Sequence, residues 1–182
     1  MNTTIQIKDL CFEPFIGVYE INSRLQDIAT QINNNYKDTT EDDPLIIIGI
    51  LNGSFMFLSD LVKHITIKCE IHFIKVSSYV GTETSGQITK LIGLDRNINN
   101  KRILIVEDII DTGLTMVNIL KEMKLLNPRD IEICTFFHKK IKCTEELNIK
   151  YVGKEIEDVF VIGYGLDYDK LGRNHKCVYA LI

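Results

Sequence analysis

At 182 residues the chain is long enough for one full hydrophobic core and short for two. An apolar share of 45% and a charged share of 25% are those of an ordinary globular protein, and a net charge of -4 offers no basic footprint for nucleic acid. The five cysteines (Cys11, Cys69, Cys134, Cys143, Cys177) form no C-x-x-C pair and no Cys/His cluster, no signal peptide is read, and no apolar run approaches the roughly 20 residues of a membrane span, so a reducing, cytoplasmic setting without membrane or nucleic-acid partners is expected.

Residues 1–19 form a short, partly apolar lead. Ser23 followed by Gln26 reads as a helix-capping box, and Ile21, Leu25, Ile28, Ala29 and Ile32 mark one helical face. A polar connector, Asn33 to Pro44, leads to the continuous apolar run Leu45–Leu51, a strand buried on both faces. That run ends at Leu51-Asn52-Gly53, after which Ser54 can cap a helix presenting Phe55, Leu58, Leu61, Val62 and Ile65. Lys68–Tyr79 reads as a further strand. Val80 to Lys90 is small and polar with two glycines, the composition of a loop that packs nothing or serves as a lid, with Leu91–Leu94 as a returning strand.

The richest stretch is Arg102 to Met116. Ile103–Val106 is again a doubly buried strand, and it ends on two adjacent acids, Glu107 and Asp108. A third acid, Asp111, opens the turn Thr112-Gly113-Leu114-Thr115. A helix with Met116, Ile119, Leu120 and Met123 on one face follows and stops at Asn127-Pro128. The first N–H groups of such a helix lack partners and carry the positive end of its dipole. Two threonine hydroxyls and a glycine beside them make a phosphate cradle. The neighbouring carboxylates would repel a bare phosphate. They suit a ligand that also carries a diol and a metal ion: a ribose phosphate.

Beyond it, Ile131–Phe137 is a strand ending at His138-Lys139-Lys140, where a lysine is ordinarily a solvated end residue. Lys142–Lys154 reads as a polar loop or flap, and Val159–Ile162 as a last core strand in which Phe160 alone would be simple packing. Strand, loop and helix alternate throughout, so the fold class is α/β: a single domain over 1–182, doubly wound, with a mostly parallel sheet flanked by helices and a small flap or hood. Ligands in such sheets sit at the carboxyl ends of the strands, where every residue singled out here lies.

The string Glu107-Asp108-Ile109-Ile110-Asp111-Thr112-Gly113-Leu114-Thr115-Met116 resembles the phosphoribosyl-pyrophosphate (PRPP) motif of the type I phosphoribosyltransferases, in the form of the hypoxanthine-guanine branch. The resemblance implies a set of roles. Glu107 and Asp108 would hold the ribose hydroxyls, directly or through Mg2+, and Thr112, Gly113, Leu114 and Thr115 would grip the 5-phosphate. Asp111 would be the general base at purine N7. Asn52 and Gly53 would bind pyrophosphate through their backbone, in a loop with a non-proline cis peptide; many relatives have a basic residue where Asn52 stands. Lys139 would read O6 of the base, Phe160 would stack on it, and Val161 would contact it through main-chain atoms. Ser78 and Tyr79 would form the base of a lid that excludes water. Gly163-Tyr164-Gly165-Leu166-Asp167-Tyr168 and Arg173 match the family's closing motif, which implies Asp167 on a second Mg2+ and Arg173 on pyrophosphate.

The activity implied is purine salvage: 5-phosphoribosyl transfer from Mg-PRPP to hypoxanthine or guanine in a homodimer or homotetramer. Three alternatives stand beside it: a nucleotide-binding regulator of the same fold, the same enzyme with xanthine as main acceptor, and a receiver-type domain. The first wants a basic face and the last has no use for the threonine cradle.

Overall fold

The computed structural model describes the backbone of residues 3–80 and 87–182, and side chains outside 77–92. In chain order the elements are β1 (Ile5–Ile7), β2 (Leu10–Ile16), α1 (Val18–Asn35), β3 (Leu45–Leu51), α2 (Phe55–Leu61), β4 (Cys69–Val80), β5 (Gln87–Ile92), β6 (Arg102–Ile110), α3 (Leu114–Lys124), β7 (Asp130–His138), β8 (Ile149–Glu155), β9 (Val161–Ile162) and β10 (Val178–Leu181).

The two longest apolar runs lie side by side in the middle of the main sheet, whose order is β5-β4-β3-β6-β7-β8. All its pairings are parallel except β4 with β5. Strand side chains alternate between faces, so one run feeds two cores. Leu45 and Ile47 pack with Leu104 and Val106 against α1 and α2, while Ile46, Ile48 and Ile50 join Ile103 and Ile105 against α3. Helices on both faces are what a parallel sheet requires, because neither face can meet water. The doubly wound class expected from the sequence is therefore the one formed.

Helix α1 buries the five expected residues, Ile21, Leu25, Ile28, Ala29 and Ile32. Its start differs. The helix begins at Val18 behind Gly17, and Ser23 lies inside it, so the expected capping box does not form. The end of β2 at Ile16 fixes the entry, and the Ile21 amide already donates to Gly17 O at 3.1 Å. In α2, Phe57 is buried with Leu58 and Leu61, whereas Phe55 is exposed. Ser54 turns its hydroxyl back to Ile50 O at 2.7 Å instead of capping the helix.

Two other segments depart from expectation. The stretch Lys142–Lys154, expected as a loop or flap, runs instead into β8, an edge strand parallel to β7, because Tyr151 and Gly153 alternate inward and Tyr151 is buried. The hood comes instead from the chain ends. β1 and β2 form a hairpin, β10 pairs with β2, and β9 pairs with β10 in a small antiparallel sheet around Ile7, Phe12 and Ile162. Val161–Ile162 thus belongs to the hood and not to the main sheet. The returning strand begins at Gln87, earlier than expected, and the tip of the expected lid, residues 81–86, lies outside the described residues. Among the described residues no helix is long and apolar enough to cross a membrane.

Candidate active site

β6 runs past its apolar core without a break. Glu107 pairs with Thr135, Ile109 with Phe137 and Ile110 with His138, so both acids are carried on the strand itself. The Asp108 amide donates to Glu107 Oε1 at 3.2 Å, and the Ile109 amide donates to Asp108 Oδ1 at 2.9 Å. Burial pushes the Glu107 carboxyl well above the usual range, and the neighbouring Asp108 adds to it. Burial also raises Asp108, while its hydrogen bonds and the Arg173 guanidinium pull the other way. Two carboxylates held this close in a half-buried corner call for a counter-charge.

Glycines let three segments meet at that corner. The Asp108 carboxylate lies directly against Gly53, where any Cβ would overlap it, and the Gly53 carbonyl in turn touches Gly165. Gly165 has φ +100, a conformation suited to glycine alone. The Leu51–Asn52 peptide beside them is cis, as the resemblance implied, and Asn52 is exposed.

The cradle forms at the start of α3. Gly113 is left-handed (φ 89), and the helix begins at Leu114 with the Val117 amide bonding to Gly113 O at 3.0 Å. The amides of Leu114, Thr115 and Met116 precede the first intrahelical bond, and only that of Leu114 touches a side chain, Thr112 Oγ1 at 3.4 Å. They face a concavity of about 90 Å³ lined by Glu107, Ile110, Asp111, Thr112, Gly113, Thr115 and Met116. Leu114 and Thr115 are exposed, so the segment is not walled in by packing.

Lys139 follows β7 and is nearly covered, with 5% exposure. Its amide donates to Ile110 O at 3.0 Å, which ties it to the end of β6. Its ammonium lies 3.6 Å from Asp111 Oδ2 and 3.0 Å from Asp158 Oδ1. Asp111 Oδ1 is buried without a hydrogen-bond partner. Residues 28 positions apart therefore share one ion pair, which no local pattern in the sequence announces. Sequence reasoning missed Asp158 and Lys142, which join the same cluster; single charges on polar segments carry no signal.

In the closing motif, Asp167 pairs with Arg173 at 2.5 Å, and Arg173 also donates to Gly165 O at 2.6 Å. Phe160 is 39% exposed, with its ring tilted against Phe12 and edge-on to Tyr168, while Val161 is buried in β9. Ser78 and Tyr79 lie on β4 opposite Thr89 and Ile88. Among the described residues no group of three His, Cys, Asp or Glu side chains is arranged to hold a metal.

A glycine-started helix, two adjacent half-buried carboxylates and a buried lysine, gathered at the carboxyl edge of a doubly wound sheet, define a protein that takes a phosphorylated, hydroxyl-bearing ligand. The phosphoribosyl transferase domain profile matches residues 18–169, and the chain belongs to the phosphoribosyltransferase family, with its type I fold. It is 37% identical to a hypoxanthine-guanine phosphoribosyltransferase of Aquifex aeolicus over 89% of this chain and 90% of that one. With the hypoxanthine phosphoribosyltransferase of Haemophilus influenzae it shares 38% identity over 87% and 89% of the two chains. The crystal structure of a hypoxanthine-guanine phosphoribosyltransferase from Bacillus anthracis superposes with a TM-score of 0.82 at 34% identity, over 97% of this chain and 100% of that one.

Proposed function

We propose that the protein transfers the 5-phosphoribosyl group of Mg-PRPP to N9 of hypoxanthine or guanine, releasing pyrophosphate and giving IMP or GMP. The observation that carries this reading is the pairing of Asp111 with the buried Lys139 beside the cradle. A 6-oxopurine presents O6 and N7 side by side on one edge. Lys139 donates to O6, and Asp111 takes or holds the proton at N7. Adenine carries a donor where O6 would be, so it sets its amino group against the buried Lys139 ammonium with no acceptor between them, which penalises the wrong base strongly. Phe160 offers a partly exposed ring for stacking and Val161 its main-chain groups.

Thr112, Gly113, Leu114 and Thr115 hold the 5-phosphate through amides and hydroxyls, and Glu107 and Asp108 take the ribose hydroxyls. Asn52 and Gly53 present backbone groups to pyrophosphate, and Arg173 adds positive charge once Asp167 releases it. Ser78 and Tyr79 support a lid that keeps water from the activated ribosyl carbon. Glu107 and Asp108 suit a magnesium ion: they are adjacent carboxylates in need of a counter-charge, and magnesium completes its shell with water and phosphate oxygens, while Asp167 would serve a second ion. When bound, that ion offsets the charge growing on pyrophosphate.

The chain acts as a single cytoplasmic domain that assembles into homodimers or homotetramers, for which exposed Phe55, Ile71 and Phe73 offer apolar surface. The test is pyrophosphate release measured base by base with Mg-PRPP. Turnover of hypoxanthine and guanine, with adenine inert, is expected. Inert oxopurines, or adenine as the better acceptor, would refute the reading.

A further inference from the structure

Four alternating charges close the base end of the cleft. Asp158 Oδ1 accepts from Lys139 Nζ at 3.0 Å and from Lys142 Nζ at 3.1 Å. Asp111 Oδ2 lies 3.2 Å from Lys142 Nζ and 3.6 Å from Lys139 Nζ. The ring draws on three segments: the turn after β6, the turn after β7 and the stretch before β9. The middle turn is itself fixed, since the amides of Lys142 and Cys143 both donate to Lys139 O, at 3.0 and 2.9 Å. That turn sets both ammonium groups on one side.

A buried ammonium must stay paired. If Asp111 were the only counter-ion of Lys139, engaging a base would strip Lys139 of its partner just when O6 needs its proton. Asp158 removes that conflict. It holds both lysines, so Asp111 can turn to the ligand while Lys139 remains charged and aimed. Lys142 touches both carboxylates and so sets the distance between them.

We propose that Asp158 and Lys142 are positioning residues for the base: Asp158 orients Lys139 toward O6, and Lys142 holds Asp111 in register with it. This rests on the roles given above to Asp111 and Lys139. Asp158 and Lys142 are 56% and 39% exposed, so replacing them leaves the core intact.

The experiment is steady-state kinetics on the full chain with hypoxanthine and Mg-PRPP, for Asp158→Asn, Lys142→Met, Lys142→Arg and Lys139→Ala, with a thermal melt of each. Asp158→Asn is expected to raise KM for hypoxanthine about tenfold while KM for PRPP stays within about twofold. Lys142→Met should raise the same KM several-fold. Lys142→Arg should restore it, because a guanidinium reaches two carboxylates at once. An unmoved KM for hypoxanthine in both Asp158→Asn and Lys142→Met overturns the proposal, as do equal rises in both KM values with a lowered melting point, the mark of a merely structural role. Lys139→Ala separates the two levels. If it impairs hypoxanthine while Asp158→Asn does not, only the positioning role falls; if it too leaves hypoxanthine unaffected, the base-pocket reading falls and takes this one with it.

Discussion

Gly53→Ala tests whether the convergence of loops at Asp108 is what makes the sugar end of the site work. A Cβ at position 53 would overlap Asp108 Oδ2 and Cγ, and even the farther oxygen, Oδ1, would stand only 2.8 Å away. Ordinary contact begins near 3.5 Å, so the nearer atoms must retreat by more than about 1 Å. Neither side gives easily. Asp108 Oδ1 is anchored by the Ile109 amide at 2.9 Å, and the Gly53 carbonyl is backed by Gly165. Overpacking of this kind costs about 1–3 kcal/mol, or roughly 2–12 °C in melting temperature for a chain of this size. The larger effect falls on catalysis, since a misplacement of about 1 Å costs on the order of 10^2 in rate. The assay is kcat/KM for PRPP at saturating hypoxanthine, with calorimetric melting in parallel. Gly17→Ala is the control, because nothing lies within 4 Å of a Cβ there. A Gly53→Ala enzyme whose kcat/KM for PRPP stays within a few-fold of the parent would refute the reasoning.

Asp111→Asn keeps the shape and removes the base, so kcat should fall by about 10^2 to 10^4 with little change in KM for PRPP. An unaltered kcat takes Asp111 out of the mechanism. Lys139→Ala should abolish turnover of 6-oxopurines while calorimetry still registers PRPP binding; a loss of PRPP affinity instead would move Lys139 out of the base pocket. The third concerns His138, whose imidazole is held below its ordinary pKa chiefly by burial, with Lys140 adding and Glu155 opposing. In the window from that lowered value up to about 6.5 the unfolded chain binds more protons than the folded one, so stability rises with pH there and is lost as pH falls through the folded pKa. His138→Gln should flatten the drop in melting temperature on acidification below about pH 6.5, and identical profiles for variant and parent would exclude the effect.

The amino-acid sequence alone determined the centre of the main sheet and the strand, turn and helix start at its edge, since both are written in contiguous residues. Leu45–Leu51 and Ile103–Val106 are apolar without interruption, which only a doubly covered strand can use. Glu107 to Met116 sets acids, threonines and a glycine at fixed spacing on a strand end and a helix start, and backbone geometry alone then brings them together. β8 was half-legible: Tyr151 and Gly153 do alternate, but the charged residues between them hide the pattern. Tertiary structure decided the rest. The hood joins Lys8 to Asp169 and Asp9 to Tyr168 across 161 and 159 positions, and one charged cluster gathers Asp111, Lys139, Lys142 and Asp158 from three segments. Periodicity states which face of a local element is apolar. Which remote segment meets that face is fixed by how the whole chain packs, and there a lone aspartate such as Asp158 gains its partners.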